Sequence, residues 1–391
     1  MRRGVAGALL ATTSLLLLLA GCGVRLSASP VRPSASASAL APAAAAAPGA
    51  TAAPAQSPTP ASPASSATPV PNSAPSPTGA LHLGNARSFL IAWLSIRSRG
   101  GTVLLRMEDL DHPKVKPQAA QQALEDLRWM GLDWDEGPDV GGPFVPYVQT
   151  ARLERYAEAL AKLQEQRLLY PCVCSRQDVE AGQSAPHAGE DGLAYDGACR
   201  GRFANYAEAA ATLPPGRLPA WRFRAEAGET VFEDGFRGWQ RETVSQTVGD
   251  FVIARHPQGA GYMLAVVVDD AAMGATEVLR GDDLLPATHR QLLLYRALGL
   301  TPPRFVHVPL VVAPDGRRLA KRHGDTRLAA LRQHGLRPSQ VVGVLAEWCG
   351  WAQPGEEIMP VDLVSRFRLD SIPRAPVVLS DEVKQKLGCM A

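Results

Sequence analysis

"APSPTGALHLGNA", residues 74–86, has the build of a loop that cradles phosphate: small residues, Pro75 and Pro77, Gly79 and Gly84, and His82. The following "NARSFLIAWLSIRSRG" places Ala86, Phe89, Leu90, Trp93 and Ile96 at helical spacing, with Gly100 and Gly101 as a stop. His82 and Gly84 then sit at a helix N-terminus, where free backbone N–H groups and the helix dipole favour an anion. Next, "TVLLRMEDLD" reads as a buried strand ending in carboxylates, and a helix is predicted from about Pro117 to Met130. Loop, helix, and strand with polar residues at its C-terminal end is the plan of a nucleotide-binding, Rossmann-type doubly wound α/β sheet. Taken alone, the loop equally suits a Pro/Gly turn that caps an ordinary helix.

Upstream of this loop the composition changes sharply. No Asp or Glu precedes Glu108, and Ser27 to Ser73 is dominated by Ala, Ser, Pro and Thr. Such a segment has too few large apolar side chains to offset the entropy of ordering it, so residues 1–73 are expected to be largely disordered. That leaves a folded body of roughly 315 of the 391 residues, ample for a buried core with inserted subdomains. The chain carries +2, of which Arg2, Arg3, Arg25 and Arg32 supply +4, leaving −2 for the remainder. Bulk charge therefore excludes a general polyanion binder, and nucleic-acid contact must come from a local basic surface.

"MRRGVAGALLATTSLLLLLAGC" has two arginines, an apolar run and small residues before Cys22. That is the layout of a secretory signal, and "LAGC" resembles a bacterial lipoprotein signal in which Cys22 becomes the lipidated N-terminus. Residues 1–22 are read as this leader and 23–73 as a tether. Of six cysteines, Cys172, Cys174 and Cys199 fall in one 28-residue window, which suits a metal site better than a disulfide framework. Three thiols in an apolar turn without metal is the alternative. Cys349 and Cys389 read as buried thiols.

Far downstream, "VVAPDGRRLAKRHGD" gathers Arg317, Arg318, Lys321, Arg322 and His323 in a glycine-flanked loop. Several cations on such a loop could neutralise a triphosphate during phosphoryl transfer; a solvated basic turn is the simpler reading of the run by itself. Together the two motifs carry a resemblance. "HLGN" resembles the HIGH motif and "RLAKR" the KMSKS loop of class I aminoacyl-tRNA synthetases. "APSPTGALHLGNAR", "LLRMEDLD" and "YMLAVVVDDAAMGATEVLRGDDLL" resemble the glutamate-activating branch, in order, from Ala74 to about residue 335. Only about 70 residues follow "RLAKR", too few for a large anticodon-binding domain. "YPCVCSRQDVE" with "GLAYDGACRGR" is similar to the glutamyl-Q tRNA(Asp) synthetase family, with a tyrosine, Tyr195, four residues before the last cysteine.

The resemblance implies a Rossmann-type catalytic domain over 74–335, a zinc-binding insertion near 170–202 and a helical C-terminal region over 336–391. It implies ATP-dependent formation of glutamyl adenylate and transfer of glutamate to the queuosine base of tRNA(Asp), in a cytoplasmic monomer. His82, Gly84 and Asn85 would hold ATP, with Lys321 stabilising the charge on the leaving pyrophosphate and Mg2+ accompanying the nucleotide. Ala74, Ser76, Glu108, Tyr262 and Arg280 would form the glutamate pocket, Glu108 facing the ammonium group and Arg280 a carboxylate. Cys172, Cys174, Tyr195 and Cys199 would hold one structural Zn2+. A short glutamyl-tRNA synthetase charging a tRNA 3′ end, and an exported lipoprotein binding module with an inactive synthetase-like body, are the competing readings. Three departures stand out. Arg318 and Ala320 replace the usual Lys and Ser of the KMSKS loop. Asn72 stands where the family has an arginine on the glutamate carboxylate, a contact of ~1.5–3 kcal/mol. Pro69 and Pro71 suit a central first strand poorly, so leader and tether are expected to replace that strand.

Overall fold

The computed structural model describes residues 80–110, 117–181, 194–257, 259–317, 319 and 325–387. The leader, the tether, Ala74, Ser76, Lys321 and Cys389 lie outside the described residues. The helices are α1 (Leu83–Arg97), α2 (Pro117–Trp129), α3 (Leu153–Glu165), α4 (Arg176–Ala181), α5 (Tyr206–Ala211), α6 (Val244–Thr247), α7 (Tyr262–Ala272), α8 (Leu285–Leu298), α9 (Leu328–Gln333), α10 (Pro338–Glu347), α11 (Pro360–Leu363) and α12 (Asp381–Lys386). The strands are β1 (Leu169–Cys172), β2 (Ala220–Phe223), β3 (Thr230–Asp234), β4 (Gly238–Glu242), β5 (Phe251–His256), β6 (Gly259–Ala260), β7 (Glu277–Gly281), β8 (Arg304–Val308), β9 (Val311–Val312) and β10 (Val377–Val378). Among the described residues no helix is long and apolar enough to cross a membrane.

β7, α8 and β8 form a parallel βαβ unit, with Arg280 paired beside His307. The segment Val103–Met107, expected as a strand, is buried and extended but joins its neighbours through isolated parallel bridges, Leu104 to Glu136 and Met107 to Val148. These parallel pieces and α1 form the half of the fold that carries His82. α1 lies on β7, β9, α10 and α11, and Ser95 on its last turn and Arg99 just past its end donate to the Glu277 carboxylate of β7 at 3.0 and 2.8 Å.

β1, which opens the cysteine-bearing stretch, is held in the antiparallel sheet β1-β2-β5-β6, which reaches to Ala260. In the C-terminal region Val341, Leu345, Trp351, Leu363 and Leu387 share one core with Leu90, Leu94 and Val311, and β10 runs parallel to β9.

Candidate active site and metal centre

His82 is the N-cap of α1, with extended backbone angles (φ −120°, ψ 170°). Its Nδ1 accepts from the amides of Gly84 (3.1 Å) and Asn85 (3.4 Å). The His82 amide donates in turn to Asn85 Oδ1 at 3.2 Å, closing a reciprocal cap. Burial lowers the His82 pKa to about 4, so the ring is neutral at pH 7 and its single proton sits on Nε2. One expectation changes here. The first amides of α1 are not free for an anion, since Leu83 N–H donates to the Thr326 carbonyl at 3.1 Å and His82 takes the next two. The donor left for a phosphate is the imidazole Nε2–H. A Cβ on Gly84 would stand 3.0 Å from His82 Cε1 and 3.1 Å from Nδ1, so a larger residue there would press on the capping imidazole.

The two distant motifs meet at this cap. Leu328 N–H donates to the Leu81 carbonyl at 2.8 Å, and His82 and Arg327 form an antiparallel bridge. The basic loop that carries Lys321 is thereby tied at its C-terminal end directly to the "HLGN" segment. Its other end is a turn in which Ala313 N–H donates to the Arg317 carbonyl at 2.8 Å, just after β9.

Glu108 belongs to a buried charge network that reaches the helix opened by Tyr262. Arg106 is fully buried, and its Nη2 donates to Glu108 Oε1 and Asp270 Oδ1, both at 2.9 Å. Asp269 accepts from Arg152 Nε (2.6 Å), Gln149 (3.0 Å) and the Tyr156 hydroxyl (2.7 Å). Burial opposes the charge on Arg106, but Asp270, Asp269 and Glu108 outweigh it and hold the guanidinium protonated far above its usual range. Arg106 and Arg152 thus pair with Glu108, Asp269 and Asp270 in one buried cluster. Asp269 and Asp270 lie on α7, and Tyr262 opens that helix, two turns before Asp269. Tyr262 is thus a half-buried helix residue, not a strand aromatic.

Arg280 lies on β7 and is 3% exposed. Its Nε donates to His307 Nε2 at 2.9 Å, and its Nη2 to Thr288 Oγ1 at 2.7 Å and Gln291 Oε1 at 2.9 Å. The guanidinium plane is therefore fixed by the protein.

Cys172, Cys174 and Cys199 bring their sulfurs within 4.8 Å of one another. The Tyr195 hydroxyl lies 3.6 Å from Cys172 Sγ and 3.7 Å from Cys174 Sγ. Tetrahedral zinc, with Zn–S near 2.3 Å, needs sulfurs about 3.8 Å apart, so the donor set fits such an ion. Burial pushes the Cys174 thiol up to about 12, so a thiolate there calls for a cation. Arg222 supports the cluster: its Nε donates to Cys172 Sγ at 3.2 Å, and its guanidinium lies 3.6 Å from the Tyr195 ring centroid. Cys349 is fully buried in the main core, as its reading as a core thiol implies.

Residues 72–370 match the family described as tRNA synthetases class I (E and Q), catalytic domain. The chain belongs to this family. The synthetase is 51% identical to the glutamyl-Q tRNA(Asp) synthetase of Symbiobacterium thermophilum, over 78% of this chain and 94% of that protein. It is 44% identical to the enzyme of the same name from Nitratidesulfovibrio vulgaris, over 79% and 95%. Against the glutamate–tRNA ligase of Heliobacterium modesticaldum the identity is 40%, over 78% of this chain but 61% of that one. Among solved structures it resembles a glutamate tRNA ligase from Elizabethkingia meningosepticum in complex with its amino acid, at 26% identity, TM-score 0.66, and coverage of 80% and 67%.

Several polar residues of this synthetase escaped the sequence reading: Arg106, Asp269, Arg222, Asp234 and His307. Arg106 had a signal, a charge inside the apolar run "VLLRM". Asp234 and His307 had none, since a single Asp at the end of one strand and a single His in another most often mean satisfied core groups.

Proposed function

We propose that this synthetase activates glutamate with ATP and transfers the glutamyl group to the queuosine base of tRNA(Asp). The observation that carries this reading is identity: 51% and 44% to two glutamyl-Q tRNA(Asp) synthetases, against 40% to a glutamate–tRNA ligase. Activation joins a glutamate carboxylate oxygen to the α-phosphorus of ATP and releases pyrophosphate. His82 donates through Nε2–H to the phosphates, and Lys321, on the loop tied to the His82 segment, neutralises the leaving pyrophosphate with Mg2+. Glu108 takes the ammonium group, Arg280 a carboxylate, and Tyr262, Ala74 and Ser76 line the pocket.

Cys172, Cys174, Cys199 and Tyr195 would hold one Zn2+, which closes its four positions with protein ligands and so acts structurally. The enzyme acts as a monomer in the cytoplasm, where ATP and tRNA are found; the lipoprotein-like leader is the competing signal, and recovery of active enzyme in the membrane fraction would reverse this placement.

The test is glutamate-dependent ATP–pyrophosphate exchange with and without tRNA, followed by characterisation of the product. Exchange without tRNA and base-linked glutamate on tRNA(Asp) are expected. Label found only on the 3′ end of tRNA(Glu) would overturn the reading. Lys321→Ala should depress exchange while leaving the melting transition in place.

A further inference from the structure

We propose that Asp234 and His307 form a buried relay that sets the orientation of Arg280, and are positioning residues for glutamate recognition. The inference rests on the placement of Arg280 in the glutamate pocket. Arg280 and His307 are register partners on parallel strands β7 and β8, so their side chains emerge side by side. Asp234 ends β3, which packs on β8. All three are buried.

The proton positions follow from the contacts. His307 Nδ1 lies 2.6 Å from Asp234 Oδ2, and a carboxylate can only accept, so Nδ1 carries the hydrogen. Arg280 Nε–H approaches His307 Nε2 at 2.9 Å, and arginine can only donate, so Nε2 offers its lone pair. Both ends of the ring require the same neutral tautomer. Burial keeps it neutral, holding the His307 pKa down at about 4. Asp234 is itself held by three backbone amides on its other oxygen: Phe236 (2.9 Å), Arg237 (2.7 Å) and His307 (3.2 Å) donate to Oδ1. A hairpin turn thus fixes a carboxylate, the carboxylate fixes an imidazole, and the imidazole fixes Nε of the arginine. Thr288 and Gln291 fix its Nη2.

This arrangement makes Asp234→Asn a sharp probe. The three amides still require an acceptor, so the asparagine keeps its oxygen toward them and turns its NH2 to His307 Nδ1. The imidazole must then accept at Nδ1 and carry its proton on Nε2, where it meets Nε–H of Arg280 donor to donor. His307→Gln, by contrast, can present an amide oxygen to Arg280 without help from Asp234.

The experiment is glutamate-dependent exchange by the full chain carrying Asp234→Asn, His307→Gln, or both. Asp234→Asn should raise KM for glutamate on the order of ten- to a hundredfold, the loss of one hydrogen bond to a charged group, with KM for ATP unchanged. The double variant should behave like His307→Gln alone. An unchanged glutamate KM in Asp234→Asn, equal rises in both KM values, or additive losses in the double variant overturn the relay. Absence of glutamate-dependent exchange in the unsubstituted enzyme instead overturns the reading of the pocket. Long-range 1H–15N NMR of the unsubstituted chain decides the relay without activity or variants: Nδ1–H on His307 supports it, and Nε2–H sinks it.

Discussion

On the imidazole of His82 the two nitrogens do different work. Nδ1 accepts the second and third amides of α1 and so starts the helix, while Nε2 keeps the proton that a phosphate can use. His82→Asn separates these roles, because asparagine is a strong N-cap but has no donor at the Nε2 position. The variant is expected to fold and to lose roughly 10²-fold in exchange rate, the usual cost of removing one donor from developing negative charge. The same substitution should alter acid stability. Burial depresses the folded-state pKa of His82 to about 4 from near 6.5 unfolded, so between these values the unfolded chain binds more protons and stability falls as pH falls. Asp126, raised by burial to about 6, works in the opposite sense over part of that window. Removing the His82 contribution should flatten the decline of stability between about pH 6.5 and pH 4, read by denaturant titration at several pH values. A slope unchanged from the unsubstituted enzyme would place the His82 ring in solvent.

At the scale of elements, α1 and α2 were legible because their patterns are local: apolar spacing, then Gly100 and Gly101 after α1. The helix α7 was harder, since "LAVVV" is rich in β-branched residues, and it is helical because its buried face packs between α3 and α8 while Asp269 and Asp270 bind the arginines. The three cysteines were legible by spacing, but the element that aims Tyr195 at them was not. Tyr195 is held by a bridge to Gly249 and by donation of its amide to the Val248 carbonyl at 2.9 Å, across more than fifty residues of chain. Gly249 has φ +71°, and a Cβ there would run into the Tyr195 carbonyl oxygen. Gly249→Ala is therefore expected to displace Tyr195 from the cysteines and to lower bound zinc well below one ion per chain, measured by elemental analysis of purified protein. Because the cysteine cluster forms its own small core, apart from the two large ones, near-UV signals from Trp93 and Trp351 should persist. Full zinc content in Gly249→Ala would remove Tyr195 from the donor set.

For the molecule as a whole, the resemblance read in the sequence runs to about residue 335, with a helical region expected after it. Packing ties the two parts together across that point. α1 is enclosed on one side by β7 and β9 and on the other by α10 and α11. Val341, Val342, Leu345 and Ala346 are fully buried against it, and Leu379 and Leu387 close the same core. β10 adds a parallel partner to β9, through amides of Val377 and Leu379 that donate to the carbonyls of Leu310 (2.9 Å) and Val312 (2.8 Å). Deleting residues 336–391 would expose the α1 face that positions His82, along with the strand from which the basic loop springs. Each large core side chain so uncovered costs about 1.5–3 kcal/mol, so six of them cost about 9–18 kcal/mol, as much as the 5–15 kcal/mol by which a domain is usually stable. A chain ending at Gly335 is therefore expected to show no cooperative thermal transition and no exchange, although both signature motifs remain in it. A truncated chain that melted cooperatively would show instead that the C-terminal segment is an appendage, and that the β7–α8–β8 unit with α1 holds the nucleotide end together alone.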